Sequence, residues 1–143
     1  DYPTIEANHF YVDALAMALI RSPEQFEVIV TNNLFGDIVT DLAAELQGGM
    51  GMASSANINP DGLCLFEPVH GSAPDIAGTN KANPLAAILS MGMLLEHLEH
   101  REAAQAIENA VMQTLHDGHL SEDLGGHTGT SQMGDAIVER LSV

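Results

Sequence analysis

The stretch Asn33-Leu34-Phe35-Gly36-Asp37-Ile38-Val39-Thr40-Asp41-Leu42 decides how the rest of the chain is read. Phe35, Ile38, Val39 and Leu42 recur at helical spacing, and Gly48-Gly49 supplies a stop, so a helix is predicted over 35–47. On that helix Asp37 and Asp41 stand four residues apart, on one face and about one turn from each other. Two like charges so placed repel, and the repulsion favours a cation between them. Oxygen-only ligands suit Mg²⁺ or Mn²⁺ better than Zn²⁺. The competing reading is a solvated acidic face, common at this spacing in an acidic protein. From spacing alone the solvated face leads; the apolar neighbours Leu34, Phe35, Ile38 and Leu42 make this a half-buried helix and add some weight to the site reading.

Outward from this helix, helical and extended patterns alternate. Residues 5–21 carry Phe10, Ala14, Leu15, Ala18 and Leu19 at helical spacing, ended by Ser22-Pro23. Residues 26–30 read as a short buried strand and 31–33 as a turn. Residues 48–62 are mostly loop with one short strand, and 63–69 form another strand with Pro68 near its end. After a polar loop over 70–82, Asn83-Pro84 opens a long helix with Pro84 at its first position and Leu85, Ile88, Leu89, Met93 and Leu95 on its apolar face. A break at 97–100 leads to a helix over 101–115, stopped by Asp117-Gly118. A last helix, capped by Thr130 or Ser131, runs to about Leu141. The alternation predicts an α/β fold, with too few strands for a complete sheet.

The chain has 143 residues, and 20 Asp+Glu against 4 Lys+Arg give it a formal charge of −16. The four basic residues are scattered, so no patch exists to neutralise phosphates, and nucleic-acid binding is not expected. No apolar run reaches the ~18 residues of a membrane span, so no membrane partner is expected either. The first residue is Asp1 and no signal-type segment follows it, so a fragment of a longer, cytoplasmic protein is expected. The single cysteine, Cys64, lies in an apolar run and reads as a small hydrophobe.

Two further places invite chemistry. Asp13 is a carboxylate in an otherwise apolar stretch, so it sits at the exposed margin or has a partner. Glu67-Pro68-Val69-His70-Gly71-Ser72-Ala73-Pro74-Asp75-Ile76 follows a strand. Its small residues let a ligand approach the backbone, and Asp75 offers an acceptor for ribose hydroxyls. It also reads as an ordinary loop held by prolines. No Gly-x-Gly-x-x-Gly is present, so the Rossmann fingerprint is absent. His97 and His100, with Glu96 and Glu99, read as solvated helix ends before zinc ligands, and Met50, Met52, Met91 and Met93 as core filler.

Taken together, Tyr11-Val12-Asp13-Ala14, the run from Asn33 to Leu42, the run from Phe66 to Ile76, Asn83-Pro84, Gly125-Gly126 and Gly129-Thr130 resemble the β-hydroxyacid oxidative decarboxylases. That family holds 3-isopropylmalate, isocitrate, homoisocitrate and D-malate/tartrate dehydrogenases. The resemblance spans essentially the whole chain. It implies an isopropylmalate/isocitrate dehydrogenase-like, non-Rossmann α/β fold, of which this is the C-terminal part of a two-domain subunit. Residues 1–48 would belong to the dimerising, metal- and substrate-binding domain and 49–143 to the NAD-binding domain.

The resemblance also implies roles. Asp37 and Asp41 match two metal-binding aspartates of one subunit, and Asp13 a third that reaches the partner's metal in a homodimer with a shared active site. Glu67, His70, Gly71, Ser72, Ala73, Asp75, Ile76 and Asn83 match the cofactor-binding positions, with Asp75-Ile76 the NAD-type pair. The implied reaction is NAD- and Mg²⁺- or Mn²⁺-dependent oxidative decarboxylation of a small 2-hydroxy acid. The first expectation is 3-isopropylmalate to 2-oxo-4-methylpentanoate in leucine biosynthesis; D-malate/tartrate and homoisocitrate are alternatives. The family's catalytic tyrosine and lysine lie upstream, so no catalytic residue is expected within this chain. A non-catalytic nucleotide-binding or subunit-interaction piece is the rival reading.

Overall fold

Asn32 decides where the first half of the chain turns helical: its Oδ1 accepts the Phe35 N–H at 3.0 Å, the bond of an N-cap. The helix it opens, α2 (Asn33–Leu46), therefore begins two residues before the apolar periodicity does. The structure, a computed structural model, describes residues 2–141 and divides the chain into two units, Asp1–Leu46 and Gln47–Val143.

In the first unit α1 (Val12–Arg21) packs on α2 through Leu15, Leu19 and Val39, with Val12 and Phe26 at the margin. The helix predicted over 5–21 forms only from Val12. Tyr11 is extended, and Phe10 leaves the helical path to set its ring edge-on against Phe26, with centroids 5.4 Å apart. The strand predicted over 26–30 does not form. A strand is defined by its ladder, and among the described residues nothing pairs with this segment; Val28 and Val30 are 83% and 93% exposed.

The second unit is built on an antiparallel hairpin, β1 (Ser54–Asn57) with β2 (Leu65–Pro68), in the register Ser54 to Pro68 and Asn57 to Leu65. Helix α3 (Leu85–His97) packs on both strands and on α4 (Arg101–His116), which packs in turn on α5 (Thr130–Arg140). Leu85, Ala110, Val111, Met133 and Ile137 form the core.

Pro84 lies at the cap position of α3 rather than at its first turn. The fully buried face of α3 is Leu85, Ala86, Ser90 and Gly92, whereas the Ile88, Leu89, Met93 and Leu95 of the expected face are half-buried. Gly92 faces α4, where a Cβ on it would stand 3.7 Å from the Ile107 side chain, an ordinary packing distance. Of the four methionines read as core filler, Met52 packs on the core and Met93 is half-buried, while Met50 and Met91 are exposed.

A polar clamp closes the end of α4. Asp117 Oδ2 accepts from Arg140 Nη2 at 2.7 Å and from Nε at 3.2 Å, tying α5 to the C-terminus of α4. The hydrogen bonding from Arg140 lowers the Asp117 pKa from its ordinary value of 3.8; desolvation, the next influence in size, opposes it, and the charges of Arg140 and His116 add to the lowering. A folded pKa below the unfolded one means that the clamp stabilises fully above the unfolded value and fades as pH falls through the folded one. Asp117→Asn is therefore expected to lower the urea midpoint at neutral pH, with the gap to wild type closing below about pH 4. A gap that persists at the lowest pH would show that the carboxylate charge is not the cause.

Candidate functional site

The two units carry two separate sets of side chains. In the first, Asp37 and Asp41 are both exposed on α2, and being i and i+4 they share one face. Asn33 Nδ2 donates to Asp37 Oδ2 at 3.2 Å, which holds that carboxylate over the first turn. Leu34 and Ile38 form the neighbouring row, 67% and 57% exposed. Asp13 stands in the first turn of α1, exposed, with its Oδ1 accepting the Ala14 N–H at 2.8 Å. An acidic residue there also suits the positive end of the helix dipole. Asp13, Met17 and Ile20 share the face turned away from Leu15 and Leu19, and Met17 and Ile20 are exposed.

Among the described residues no group of three or more His, Cys, Asp or Glu side chains stands ready to hold a metal ion; α2 offers two. Two carboxylates on one exposed helical face are oxygen donors open to a hydrated cation. Mg²⁺ keeps several waters and takes one or two protein carboxylates, so the pair fits such an ion. His97 and His100 make no such set: the His97 ring lies against Phe66, 5.4 Å between centroids, and His100 occupies the cap position of α4.

In the second unit β2 places Glu67 exposed near its end and hands the chain to the loop at His70. The His70 ring is held through Nδ1, 2.9 Å from the Gly71 carbonyl. Gly71 faces open space: a Cβ there would meet nothing within 4 Å. Ala73 takes a left-handed φ of 41°, and two consecutive turns follow, the Ile76 N–H bonding to Ala73 O and the Thr79 N–H to Ile76 O, each at 3.1 Å. Ser72 and Asp75 are exposed and Ile76 is half-buried. The loop thus presents an open backbone, a carboxylate acceptor and one apolar side chain, the chemistry that a ribose and a flat base require.

Asn83 ends the loop differently, because it is buried. Its Oδ1 accepts the Leu85 N–H at 3.0 Å, satisfying a free donor of α3, and its Nδ2 donates to Asp123 Oδ2 at 2.9 Å. Gly51 lies over this pair; a Cβ on it would run into the Asp123 carboxylate and stand 2.9 Å from Asn83 Cβ. Asp123 is the residue that sequence reasoning missed. It lies in a 3-10 turn over Glu122–Leu124, forty positions from Asn83, and no local pattern joins the two.

The first unit thus presents an exposed acidic helical face, and the second a glycine-opened loop after a short strand. The chain belongs to the isocitrate/isopropylmalate dehydrogenase family, whose pattern matches residues 1–137. It is 53% identical over 143 residues to the 3-isopropylmalate dehydrogenase of Zymomonas mobilis, covering 99% of this chain and 41% of that protein. Isocitrate dehydrogenase from Methylococcus capsulatus superposes with a TM-score of 0.90 at 50% identity, over 98% of this chain and 42% of that one. The β-decarboxylating dehydrogenase of Thermococcus kodakarensis superposes with a TM-score of 0.84 at 41% identity, over 97% and 41%. The chain thus spans about two-fifths of the length of the relatives that it matches.

Proposed function

We propose that the protein carrying this chain is an NAD- and divalent-metal-dependent dehydrogenase that oxidatively decarboxylates 3-isopropylmalate in leucine biosynthesis, in the cytoplasm. The likeness to the Zymomonas enzyme supports the substrate. The observation that carries the reading is the Asp37–Asp41 pair, exposed on one face of α2. No helix among the described residues is long and apolar enough to cross a membrane.

In this reading the Asp1–Leu46 unit is the metal- and dimer-forming part, close to the expected 1–48, and the Gln47–Val143 unit the NAD-binding part. Asp37 and Asp41 hold the cation. The exposed rows beside the aspartates, Leu34 with Ile38 and Met17 with Ile20, support a homodimer in which Asp13 serves the partner's cation. Asp75 accepts from ribose hydroxyls and its charge repels a 2′-phosphate, which selects NAD over NADP. Gly71, Ser72 and Ala73 admit the cofactor backbone, His70, Ile76 and Asn83 complete the same cofactor loop, and Glu67 stands toward the nicotinamide end. When bound, NAD accepts the hydride, and the cation supplies the Lewis acidity that stabilises the enolate left by loss of CO₂.

The test is an assay of the whole protein with NAD and Mn²⁺ against 3-isopropylmalate, isocitrate, D-malate and tartrate. NADH formation with matching CO₂ release is expected from 3-isopropylmalate above the others. Preference for isocitrate, the substrate of the Methylococcus neighbour, would move the assignment within the family. No turnover of any of them would sink it.

A further inference from the structure

We propose that Asn80 is a positioning residue that latches the C-terminal end of the 70–82 loop onto the first turn of α5 and so sets where the dinucleotide-binding side chains stand; the second clause rests on the nucleotide reading above. Asn80 has a φ of 61°, in the left-handed region that Asn tolerates and most residues avoid. The turn aims both of its oxygens at one helix end. Its carbonyl accepts the Thr130 N–H at 2.9 Å. Its Oδ1 accepts the Ser131 N–H at 2.9 Å and the Ser131 hydroxyl at 3.0 Å.

The first amides of a helix have no partner within it, and a side-chain oxygen at the cap position ordinarily takes one of them. In α5 that position is Gly129, which has no side chain. It can hardly carry one, because a Cβ there would stand 2.6 Å from Asn80 Nδ2. The cap is therefore supplied from 51 residues away, by a residue of the loop. One more contact joins the same two segments, the Thr130 hydroxyl donating to the Ala82 carbonyl, and two tie the end of the loop to the 3-10 turn before α5: Lys81 pairs with Glu122 at 3.0 Å and Asn83 bonds to Asp123. Between Ala73 and Thr79 the loop is held by its own turns, the Ile76 N–H on the Ala73 carbonyl and the Thr79 N–H on the Ile76 carbonyl. The C-terminal end is thus fastened to the helical body, while Gly71 to Asp75 stay exposed.

Three variants separate the contributions. Asn80→Asp keeps the acceptor and tolerates the same φ; Asn80→Gly keeps the φ and loses the acceptor; Asn80→Ala loses both. Amide hydrogen exchange at Ser131 is expected to match wild type in N80D, to run about fivefold faster in N80G and about tenfold or more faster in N80A, while Thr130, whose acceptor is the Asn80 backbone carbonyl, is expected to exchange faster in N80A alone. Calorimetric titration with NAD is expected to weaken in the same order, by up to about fivefold, with KM for NAD raised and kcat nearly unchanged in the whole protein. Wild-type exchange in both N80G and N80A would overturn the latch. Faster exchange with unchanged NAD affinity would overturn the positioning role. A wild type that binds no NAD would sink the nucleotide reading and the positioning clause with it, while the exchange data alone would still decide the latch.

Discussion

Replacing Asp37 or Asp41 by Asn is expected to weaken Mn²⁺ binding by at least about 10-fold for each, and the double replacement to abolish it at millimolar metal. Outer-shell partners of metal ligands are worth about 10- to 100-fold in affinity, and a ligand itself no less. Both side chains are exposed, so neither change opens a cavity or strands a buried polar group. The metal-free protein should gain slightly, since like charges at i and i+4 cost a helix about 0.2–0.5 kcal/mol. The sign of the effect therefore reverses with metal. At a concentration 100 times its dissociation constant, Mn²⁺ stabilises wild type by about 2.7 kcal/mol, and a variant binding 100-fold more weakly keeps only about 0.4 kcal/mol. Thermal unfolding with and without Mn²⁺ reads both halves. Variants that match wild type in the metal-induced shift would show that the pair is a solvated acidic face and nothing more. Asp13→Asn should act like a ligand loss only where the dimer forms, and should otherwise cost only the favourable place of its charge at the start of α1, since an amide oxygen can still accept the Ala14 N–H.

What could be read in the sequence was local, and what could not was long-range. Asp37 and Asp41 share a face because helical periodicity fixes it, and Leu34 and Ile38 beside them carry that periodicity openly. The α2 stop at Gly48-Gly49 was legible too, with both glycines at positive φ, 111° and 93°. Residues 26–30 misled because β-branched composition favours a strand only where a neighbour supplies a ladder. Their Phe26 serves instead as a packing partner for Phe10. The α5 cap misled for the opposite reason: Thr130 and Ser131 have the right chemistry, but the acceptor comes from Asn80 and the cap position falls on Gly129. In the site itself the loop residues and Asn83 stood out in the sequence, whereas Asp123, which takes the Asn83 amide, is joined to it only by tertiary structure.

Leu85→Ala is expected to cost the second unit about 2–5 kcal/mol, a large share of the ~5–15 kcal/mol that holds a domain folded. Leu85 has no exposed surface and packs in one cluster with Met133, itself fully buried, and with Ala110, Val111 and Ile137. Alanine keeps the backbone N–H that Asn83 Oδ1 accepts, so the start of α3 stays capped and the loss is one of packing alone. How far the hole closes depends on the long side chains around it, Met133 and Ile137 in the cluster and Met52 packed against it, which is why the whole range is kept. Leu15→Ala in the first unit should cost less, since Leu15 keeps 8% exposure in a cluster of three buried residues. Urea unfolding of the two variants tests the ordering. Met133→Ala combined with Leu85→Ala should depart from additivity by about 0.5–3 kcal/mol, because the two side chains line one hole. Additive losses would mean that they belong to separate packing sites. A Leu85→Ala variant within about 1 kcal/mol of wild type would show that the cluster does not hold α3, α4 and α5 together.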